Sequence, residues 1–259
     1  MKVQVFNLQG EAGTTIDLPK VFETPIRPDV IKRVVIAQQS HRLQPQGRDP
    51  MAGRKTTAIS MGTGFHLSRV PRVKGSKYPK AQQAAFAPGT VSGRQAHPPR
   101  SEKDIYKRIN RRERLLAIRS AIAATANKNL VLSRGHIVPD TQSFPVVVSD
   151  DLQSLNRTGE AMGFFGKIGL LPDLERVDKS LRVRAGRGKT RGRRTRHGVG
   201  PLVVIHEDKG IRKAMSNFLG VDVVKAERLS AELLAPGTNP GRLTIWTISA
   251  LNNLDTQLA

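Results

Sequence analysis

Short runs of branched aliphatic residues recur along the second half of the chain, each bounded by turn residues. The runs are Val146–Val148, Leu202–Ile205, Val221–Val224 and Leu243–Ile248. The segments between them have helical spacing and predict helices that begin at Asp150, Pro172, about Gly210, about Ala226 and Ser249. Strands that are largely apolar and alternate with helices are typical of a parallel sheet covered on both faces. We therefore predict an α/β body of three layers, with a mainly parallel sheet flanked by helices.

The first 44 residues add two strands and one helix to this body. The strands are expected at 2–8 and 13–18, with a turn at Gly10–Gly13 between them. A helix is expected to begin at Pro28 and to end near Leu43. The side that it would bury carries Val30, Ile31, Val34 and Val35.

Residues 45–100 have no such pattern. They contain only five Ile, Leu or Val residues in 56 positions, with many Gly, Pro, Gln and Ser residues. A segment so poor in apolar side chains cannot offset its own ordering entropy. We predict a long, extended, irregular loop, which divides the body into residues 1–44 and 101–259. It could reach at most about 90 Å outward, from roughly 28 residues at ~3.3 Å each.

A helix is predicted to follow the loop, from Ser101 to about Ala126. Ser101 and Asp104 have the spacing of a capping box, with Asp in place of the usual Glu. The apolar residues that recur at helical spacing are Ile105, Ile109, Leu116 and Ala123. The remaining sides would form a cationic ridge, which contains Lys107, Arg108, Arg111, Arg112, Arg114 and Arg119.

Charge indicates the kind of partner. The chain has 43 Lys or Arg residues against 21 Asp or Glu residues, a formal net charge of +22. Residues 201–259 are neutral, whereas residues 45–100 carry ten Lys or Arg residues and one acid. Residues 182–196 hold eight Lys or Arg residues and no acid. Because such an excess repels itself, we infer a polyanionic partner and favour nucleic acid over anionic lipid.

The basic segment 182–198 interleaves glycine with cations. Glycine allows a backbone to approach a phosphate groove closely, and each guanidinium can bind a phosphate in a bidentate manner. We expect this segment to be disordered alone and to become ordered against RNA as it displaces condensed counterions.

Most other chemistry is excluded by the residues present. There is no cysteine, and the six histidines never occur as i, i+3 or i, i+4 pairs, so we predict no metal site and no cofactor. Gly188-Lys189-Thr190 lacks the first glycine of a phosphate-binding loop, since Val183 stands at that position. Gly163-Phe164-Phe165-Gly166 matches the GXXG of an RNA-binding module, but we favour a packing pair for its phenylalanines.

Two pairs of acids follow predicted strands, where α/β enzymes place functional groups. They are Asp150-Asp151 and Glu207-Asp208, and we expect them to begin helices instead. No pattern predicts a catalytic residue. No aliphatic run approaches the length of a membrane span, and the amino terminus lacks the apolar region of a signal peptide. We expect an intracellular protein that is not an enzyme.

Five separated stretches together resemble the archaeal type of large-subunit ribosomal protein four, the universal L-four family. They are Arg69–Lys74 (RVPRVK), Arg94–Arg100 (RQAHPPR), Ile109–Ala126 (INRRERLLAIRSAIAATA), Arg182–Arg194 (RVRAGRGKTRGRR) and Ala231–Trp246 (AELLAPGTNPGRLTIW). The resemblance covers nearly the whole chain. It implies a structural protein of the large ribosomal subunit in the cytoplasm, with an α/β body bound to ribosomal RNA.

The resemblance also implies residue roles. Expected rRNA contacts are Arg182, Arg184, Arg187, Lys189, Arg191, Arg193, Arg194, Arg196, Lys107, Arg108, Arg111, Arg112, Arg48, Arg54, Lys55, Arg94 and Arg100. The part of the loop nearest the polypeptide exit tunnel is expected to be Arg69, Val70, Pro71, Arg72, Val73 and Lys74. Implied partners are the other large-subunit proteins, including ribosomal protein twenty-two near the tunnel, and the nascent polypeptide. Tyr78 could stack on a base.

Two other functions are open on the residues alone. An RNA-processing nuclease would need clustered acids to hold metal ions, and the sequence shows no such cluster. A DNA-compacting or regulatory protein would use a helix-in-groove device, and no motif of that kind is visible.

Overall fold

The computed structural model describes residues 1–139 and 143–258. The chain divides into two compact units, one formed by Met1–Gln39 with Lys107–Ala259 and the other by Ser40–Tyr106. We call the first unit the body and describe the two separately.

The body contains a six-stranded sheet, as the aliphatic runs predict. Its strands are β1 (Lys2–Phe6), β2 (Ala12–Asp17), β3 (Val146–Val148), β6 (Leu202–Ile205), β7 (Asp222–Lys225) and β8 (Thr244–Thr247). The strand order is β2-β1-β3-β8-β6-β7, with β1 and β2 antiparallel and every other pair parallel. The two remaining strands of the body, β4 (Arg182–Val183) and β5 (Thr195–Arg196), pair only with each other.

The body also contains helices on both faces of the sheet. They are α1 (Pro28–Ser40, whose last residue lies in the second unit), α2 (Arg111–Thr125), α3 (Lys128–Ser133), α4 (Thr158–Lys167), α5 (Leu171–Lys179), α6 (Ile211–Met215), α7 (Ala231–Leu234) and α8 (Ile248–Leu258). Short 3-10 helices lie at Lys20–Glu23, Asp150–Ser154, Lys189–Arg191, Ala226–Arg228 and Pro236–Thr238. Among the described helices, none is long and apolar enough to cross a membrane.

The prediction that a helix begins at Ser101 is wrong, because α2 begins ten residues later. The Asp104 carboxylate accepts a hydrogen bond from the Tyr106 N–H, two residues on, and this local turn competes with a helix. Asn110 then has an extended backbone and precedes the first helical residue. The expected buried side is also partly wrong, since Leu116 is exposed, whereas Ile118 and Ile122 are buried.

Other helix boundaries differ from those expected. The helix expected over 226–234 divides, because Ser230 accepts a hydrogen bond from the Leu233 N–H and so caps the new helix α7. The helix expected to be capped by Ser249 begins at Ile248, and the Asp150 carboxylate accepts the Ser249 N–H. Helices α3 and α4 were not predicted.

Alternate residues of the central strands enter two separate cores. Val147, Leu202 and Val204 contact one cluster, with residues of α1, α2, α7 and α8. Val203 and Ile205 contact the other cluster, with residues of α4, α5 and α6. Since side chains alternate along a strand, a strand apolar at each position is buried on both faces. The predicted three-layer α/β class is confirmed.

The second unit has an irregular backbone with sparse pairing. Residues 41–54 and 93–106, which we call the stalk, run antiparallel, and the Arg48 N–H donates to the Pro99 oxygen at 3.2 Å. Residues 55–92, which we call the head, contain isolated antiparallel bridges that join Arg72 to Ile59 and to Ala84. Residues 41–106 are all described, and none of them is buried. The unit therefore has no core of its own, and its role as an RNA-penetrating loop stays a prediction.

Candidate nucleic-acid interface

The basic segment folds into a hairpin, which we call the basic hairpin and define as residues 182–196. Arg182 pairs with Arg196 and Val183 with Thr195 across β4 and β5. Arg184 closes the hairpin, since its backbone N–H donates to the Arg194 oxygen at 2.7 Å and its Nε donates to the Arg193 oxygen at 3.1 Å. The backbone of the segment therefore pairs with itself, and the expectation that it becomes ordered against RNA stays a prediction.

Glycine shapes the end of the basic hairpin. Gly186 and Gly192 have φ angles of +76° and +77°, in the left-handed region that side chains disfavour. Gly188 accepts hydrogen bonds from the Arg191 and Arg193 N–H groups and so closes the turn.

Seven of the eight cations on the basic hairpin are exposed. They are Arg182, Arg187, Lys189, Arg191, Arg193, Arg194 and Arg196. Arg184 is half-buried and donates to backbone oxygens of the hairpin. Its guanidinium therefore stabilises the hairpin and is less available to a phosphate. Within the described residues, none of the eight forms an ion pair with an acid. Like charges held together without acids repel, and a phosphate backbone would remove that repulsion.

Two half-buried side chains at the end of α5 hold the residues that follow the basic hairpin. Ser180 accepts a hydrogen bond from the Gly198 N–H at 2.6 Å, and Arg176 donates to the Val199 oxygen at 2.8 Å. Arg176 also binds the buried Asp173, which accepts from His136 Nδ1 at 3.0 Å. We assign the Nδ1 hydrogen to this bond, because the Arg176 nitrogen lies farther away at 3.4 Å. No motif in the sequence indicated these anchors, because only the fold brings their residues together.

This anchor should make the stability of the body depend on pH. Burial lowers the pKa of His136 below its usual value, and Asp173 only partly offsets this effect. Burial alone would raise the pKa of Asp173, but hydrogen bonds from His136 and Arg176 lower it overall. Both groups bind fewer protons when folded, so their stabilisation is present at neutral pH and is lost on acidification.

We expect the free energy of unfolding to fall between about pH 7 and about pH 5, where His136 would take up a proton in the unfolded chain. His136→Gln should make this dependence flatter, and the exposed-site control His97→Gln should leave it unchanged. Urea unfolding at both pH values measures the difference. A wild-type curve that does not shift with pH would contradict the assignment.

A second cationic surface lies where α1 packs against α2. Two contacts show that the helices run antiparallel. At the start of α1, the Arg27 N–H donates to Ser120 Oγ late in α2 at 2.7 Å, and farther along α1, Arg33 pairs with Glu113 early in α2 at 3.1 Å. An open groove of about 590 Å³ lies at this surface. Its lining is Asp29, Lys32, Arg33, Ile36, Ala37, Lys107, Arg108 and Ile109. Lys107 and Arg108 were predicted as part of a cationic ridge, whereas Lys32 and Arg33 were not, because only the apolar side of their helix gave a signal.

Arginines also occupy the first turn of α2. Arg111, Arg112 and Arg114 are exposed there beside a single acid, Glu113. Cations are unfavourable at a helix amino terminus, where the dipole is already positive. A bound anion would remove this cost, so the ridge fits a phosphate partner.

The predicted loop residues fall in two parts of the second unit. Of the predicted cations, Arg48, Arg54, Arg94 and Arg100 lie in the stalk, and Lys55 begins the head. Most are exposed, although Lys55 pairs with Asp49 at 3.2 Å and Arg94 is half-buried. The expected tunnel stretch Arg69–Lys74 lies in the head, where Arg69 and Lys74 are exposed and the four residues between them are half-buried.

Arg72 and Tyr78 make contacts inside the head. The Arg72 guanidinium donates to the Gln82 oxygen at 3.1 Å and to Ser68 Oγ at 3.2 Å, so it organises the head. The Tyr78 hydroxyl donates to the Lys74 oxygen, and this bond fixes the ring.

The position at which an α/β enzyme would hold its ligand is filled. At the carboxyl ends of β3, β6 and β8, the buried Gln153 donates to Asp150 at 3.0 Å and accepts from the Glu207 N–H at 2.8 Å. Asp208 accepts the Gly210 and Arg212 N–H groups, as expected for an acid that begins a helix. No cluster of acids or histidines that could hold a metal occurs among residues 1–139 and 143–258.

The two short motifs have the structural roles that we favoured. Phe164 and Phe165 lie inside α4, are buried, and pack edge to face with ring centroids 5.7 Å apart. The GXXG match is therefore part of a core helix. Lys189 and Thr190 lie in the turn of the basic hairpin and not between a strand and a helix, so they form no phosphate-binding loop.

Comparison with known proteins accounts for this combination of a filled sheet edge and cationic surfaces. The profile of the ribosomal protein L4/L1 family matches residues 16–257. The chain belongs to this family. Membership confirms the resemblance that the five stretches indicated, and it places the chain among structural ribosomal proteins and not among enzymes.

Curated archaeal relatives match this chain over nearly its whole length. Each is a large ribosomal subunit protein uL4. The protein of Methanosphaera stadtmanae is 49% identical over 253 residues, 98% of this chain and 96% of its own length. That of Methanopyrus kandleri is 48% identical over 258 residues, 100% and 99% of the two chains. That of Saccharolobus islandicus is 44% identical over 256 residues, 98% and 94% of the two chains.

Proposed function

We propose that this L4/L1 family protein is a structural constituent of the large ribosomal subunit in the cytoplasm. It binds large-subunit ribosomal RNA through the basic hairpin, the ridge at the start of α2 and the cations of the stalk. The observation that carries the proposal is the basic hairpin, which presents seven exposed cations without an acid partner among the described residues. Its task is assembly: neutralised phosphates allow RNA helices to pack closely.

The second unit supports a further part of this proposal. A segment of 66 residues without one buried side chain needs an external surface to confine it. We propose that ribosomal RNA surrounds it and that the head lines part of the polypeptide exit tunnel. Its neighbours there would be ribosomal protein twenty-two and the nascent polypeptide, and other large-subunit proteins would contact the body.

Purified protein should bind a large-subunit ribosomal RNA fragment with a steep salt dependence. Because many phosphates release counterions on binding, affinity should fall by roughly 10³- to 10⁵-fold between about 50 mM and about 200 mM salt. Filter binding over a salt series measures this slope. Duplex DNA of equal length serves as competitor and distinguishes the DNA-compacting alternative. An affinity that does not change with salt would refute the phosphate-contact mechanism, and failure to sediment with large subunits would refute the assignment.

A further inference from the structure

Two aromatic rings stack on each other at the two ends of the second unit. The His41 and Tyr106 rings have centroids 4.0 Å apart and planes inclined by only 7°. The residues are 65 positions apart in the chain, and both are exposed, with 54% of Tyr106 accessible to solvent. The stack is therefore a surface feature with outer ring faces that water reaches.

Local hydrogen bonds and the stalk hold the rings in place. Tyr106 donates its backbone N–H to Asp104 at 3.0 Å, and a turn that closes from Leu43 to Ser40 encloses His41. Farther along the stalk, the Arg48 side chain donates to Gln95 at 3.0 Å. A ring held by its own backbone is ordered before any ligand arrives, which reduces the entropy lost on binding.

A packing role does not explain the exposure of these rings. The chain has 11 Phe, Trp and Tyr residues, and Phe22, Phe164, Phe165 and Trp246 among them are buried in the body. No core exists between residues 41 and 106 to receive a ring. Closing the stalk needs only an apolar contact, which an aliphatic pair would also supply. The flat outer faces have a chemical use that an aliphatic pair lacks.

The rings share the stalk with cations. Arg42 follows His41, and the stalk also carries the exposed cations Arg48 and Arg100. A planar π surface with adjacent cations is the arrangement by which proteins hold single-stranded nucleic acid, because the base stacks on the ring while the phosphates contact the cations. An acidic peptide would use the cations but would gain little from two parallel rings.

We propose that the His41–Tyr106 stack is a platform for one unpaired nucleobase of ribosomal RNA. This inference rests on the proposed function and adds two residues to the RNA-binding set that neither charge nor motif had indicated. The base stacks on an outer ring face and extends the pair to three parallel planes. Its contribution comes from stacking and not from counterion release, so it is insensitive to salt.

Tyr106→Leu tests the platform, because leucine keeps an apolar contact with His41 but removes the aromatic face. We expect affinity for a large-subunit ribosomal RNA fragment to fall by roughly 5- to 150-fold. The slope of affinity against salt should stay the same. Tyr106→Phe should bind like the wild type, since the ring remains. Ultraviolet irradiation of the wild-type complex should crosslink Tyr106 or His41 to RNA, as identified by mass spectrometry.

Three outcomes would overturn the platform. Tyr106→Leu could bind RNA like the wild type with an unchanged, steep salt dependence, in which case the proposed function stands and this inference falls. The variant could instead bind RNA weakly while trypsin cleaves it faster in the stalk and the wild-type complex forms no crosslink. The stack would then only hold the two strands of the stalk together. The variant could also bind RNA normally but lose affinity for another ribosomal protein, and the surface would then belong to that protein.

Discussion

Replacing Arg187, Arg191, Arg193 and Arg194 together with glutamine should abolish incorporation of the protein into large subunits. All four guanidiniums are exposed at the far end of the basic hairpin, and none makes a hydrogen bond or an ion pair with the rest of the described chain. Their loss should therefore leave folding intact. If each contacts one phosphate, the slope of log affinity against log salt should become shallower by about three, at ~0.7–0.9 for each phosphate.

A matched variant separates position from net charge. Arg212, Lys213, Lys225 and Arg228 are also exposed, and changing them to glutamine removes the same four charges from the neutral carboxyl-terminal quarter. This control should still assemble and keep the wild-type salt slope. The measurements are cosedimentation with large subunits and filter binding over a salt series. Assembly of the hairpin variant at the wild-type level would remove the basic hairpin from the interface.

Arg242→Met should destabilise the body by several kcal/mol, because each buried backbone oxygen that loses its donor costs about 1–3 kcal/mol. Arg242 is only 1% exposed and donates to the Gly200 and Leu233 oxygens, each at 2.9 Å. It also donates to the Gly220 oxygen at 3.1 Å and pairs with Asp222 at 2.7 Å. Methionine fills a similar volume but removes the guanidinium donor of the Gly200 and Leu233 oxygens, whereas the Gly220 oxygen still accepts the Gly200 N–H at 3.0 Å. Such a loss is a large part of a typical total stability of about 5–15 kcal/mol.

The single tryptophan offers a direct measurement. Trp246 is fully buried on β8, so its fluorescence follows unfolding of the sheet in guanidinium chloride. Arg212→Met is the control, because Arg212 is an exposed arginine on α6. It should change stability by less than about 0.5 kcal/mol, as surface substitutions usually do. An Arg242→Met protein as stable as this control would show that Gly200, Leu233 and Gly220 do not depend on the guanidinium.

Local pattern predicted the sheet well. Val146–Val148 and Leu202–Ile205 are strands with the bounds that their aliphatic runs indicated. A short run that is apolar at every position is typical of a strand whose two faces are both buried. Helix boundaries were harder to predict. The start of α2 depends on whether Asp104 turns the chain locally or caps a helix, and both uses suit the same residue type.

Composition and motif, both properties of the sequence by itself, determined the α/β class, the family, the cationic segments and the absence of an apolar core between residues 45 and 100. These follow from residue types and near neighbours, which the chain order specifies directly. Tertiary structure alone decided that Arg176 and Ser180 anchor the basic hairpin, that Arg242 ties Gly200 to Leu233 and Gly220, and that His41 meets Tyr106. Each of these contacts joins residues from 9 to 65 positions apart. The sequence names the groups that can donate, accept or stack, but which of them meet depends on the packing of the whole chain.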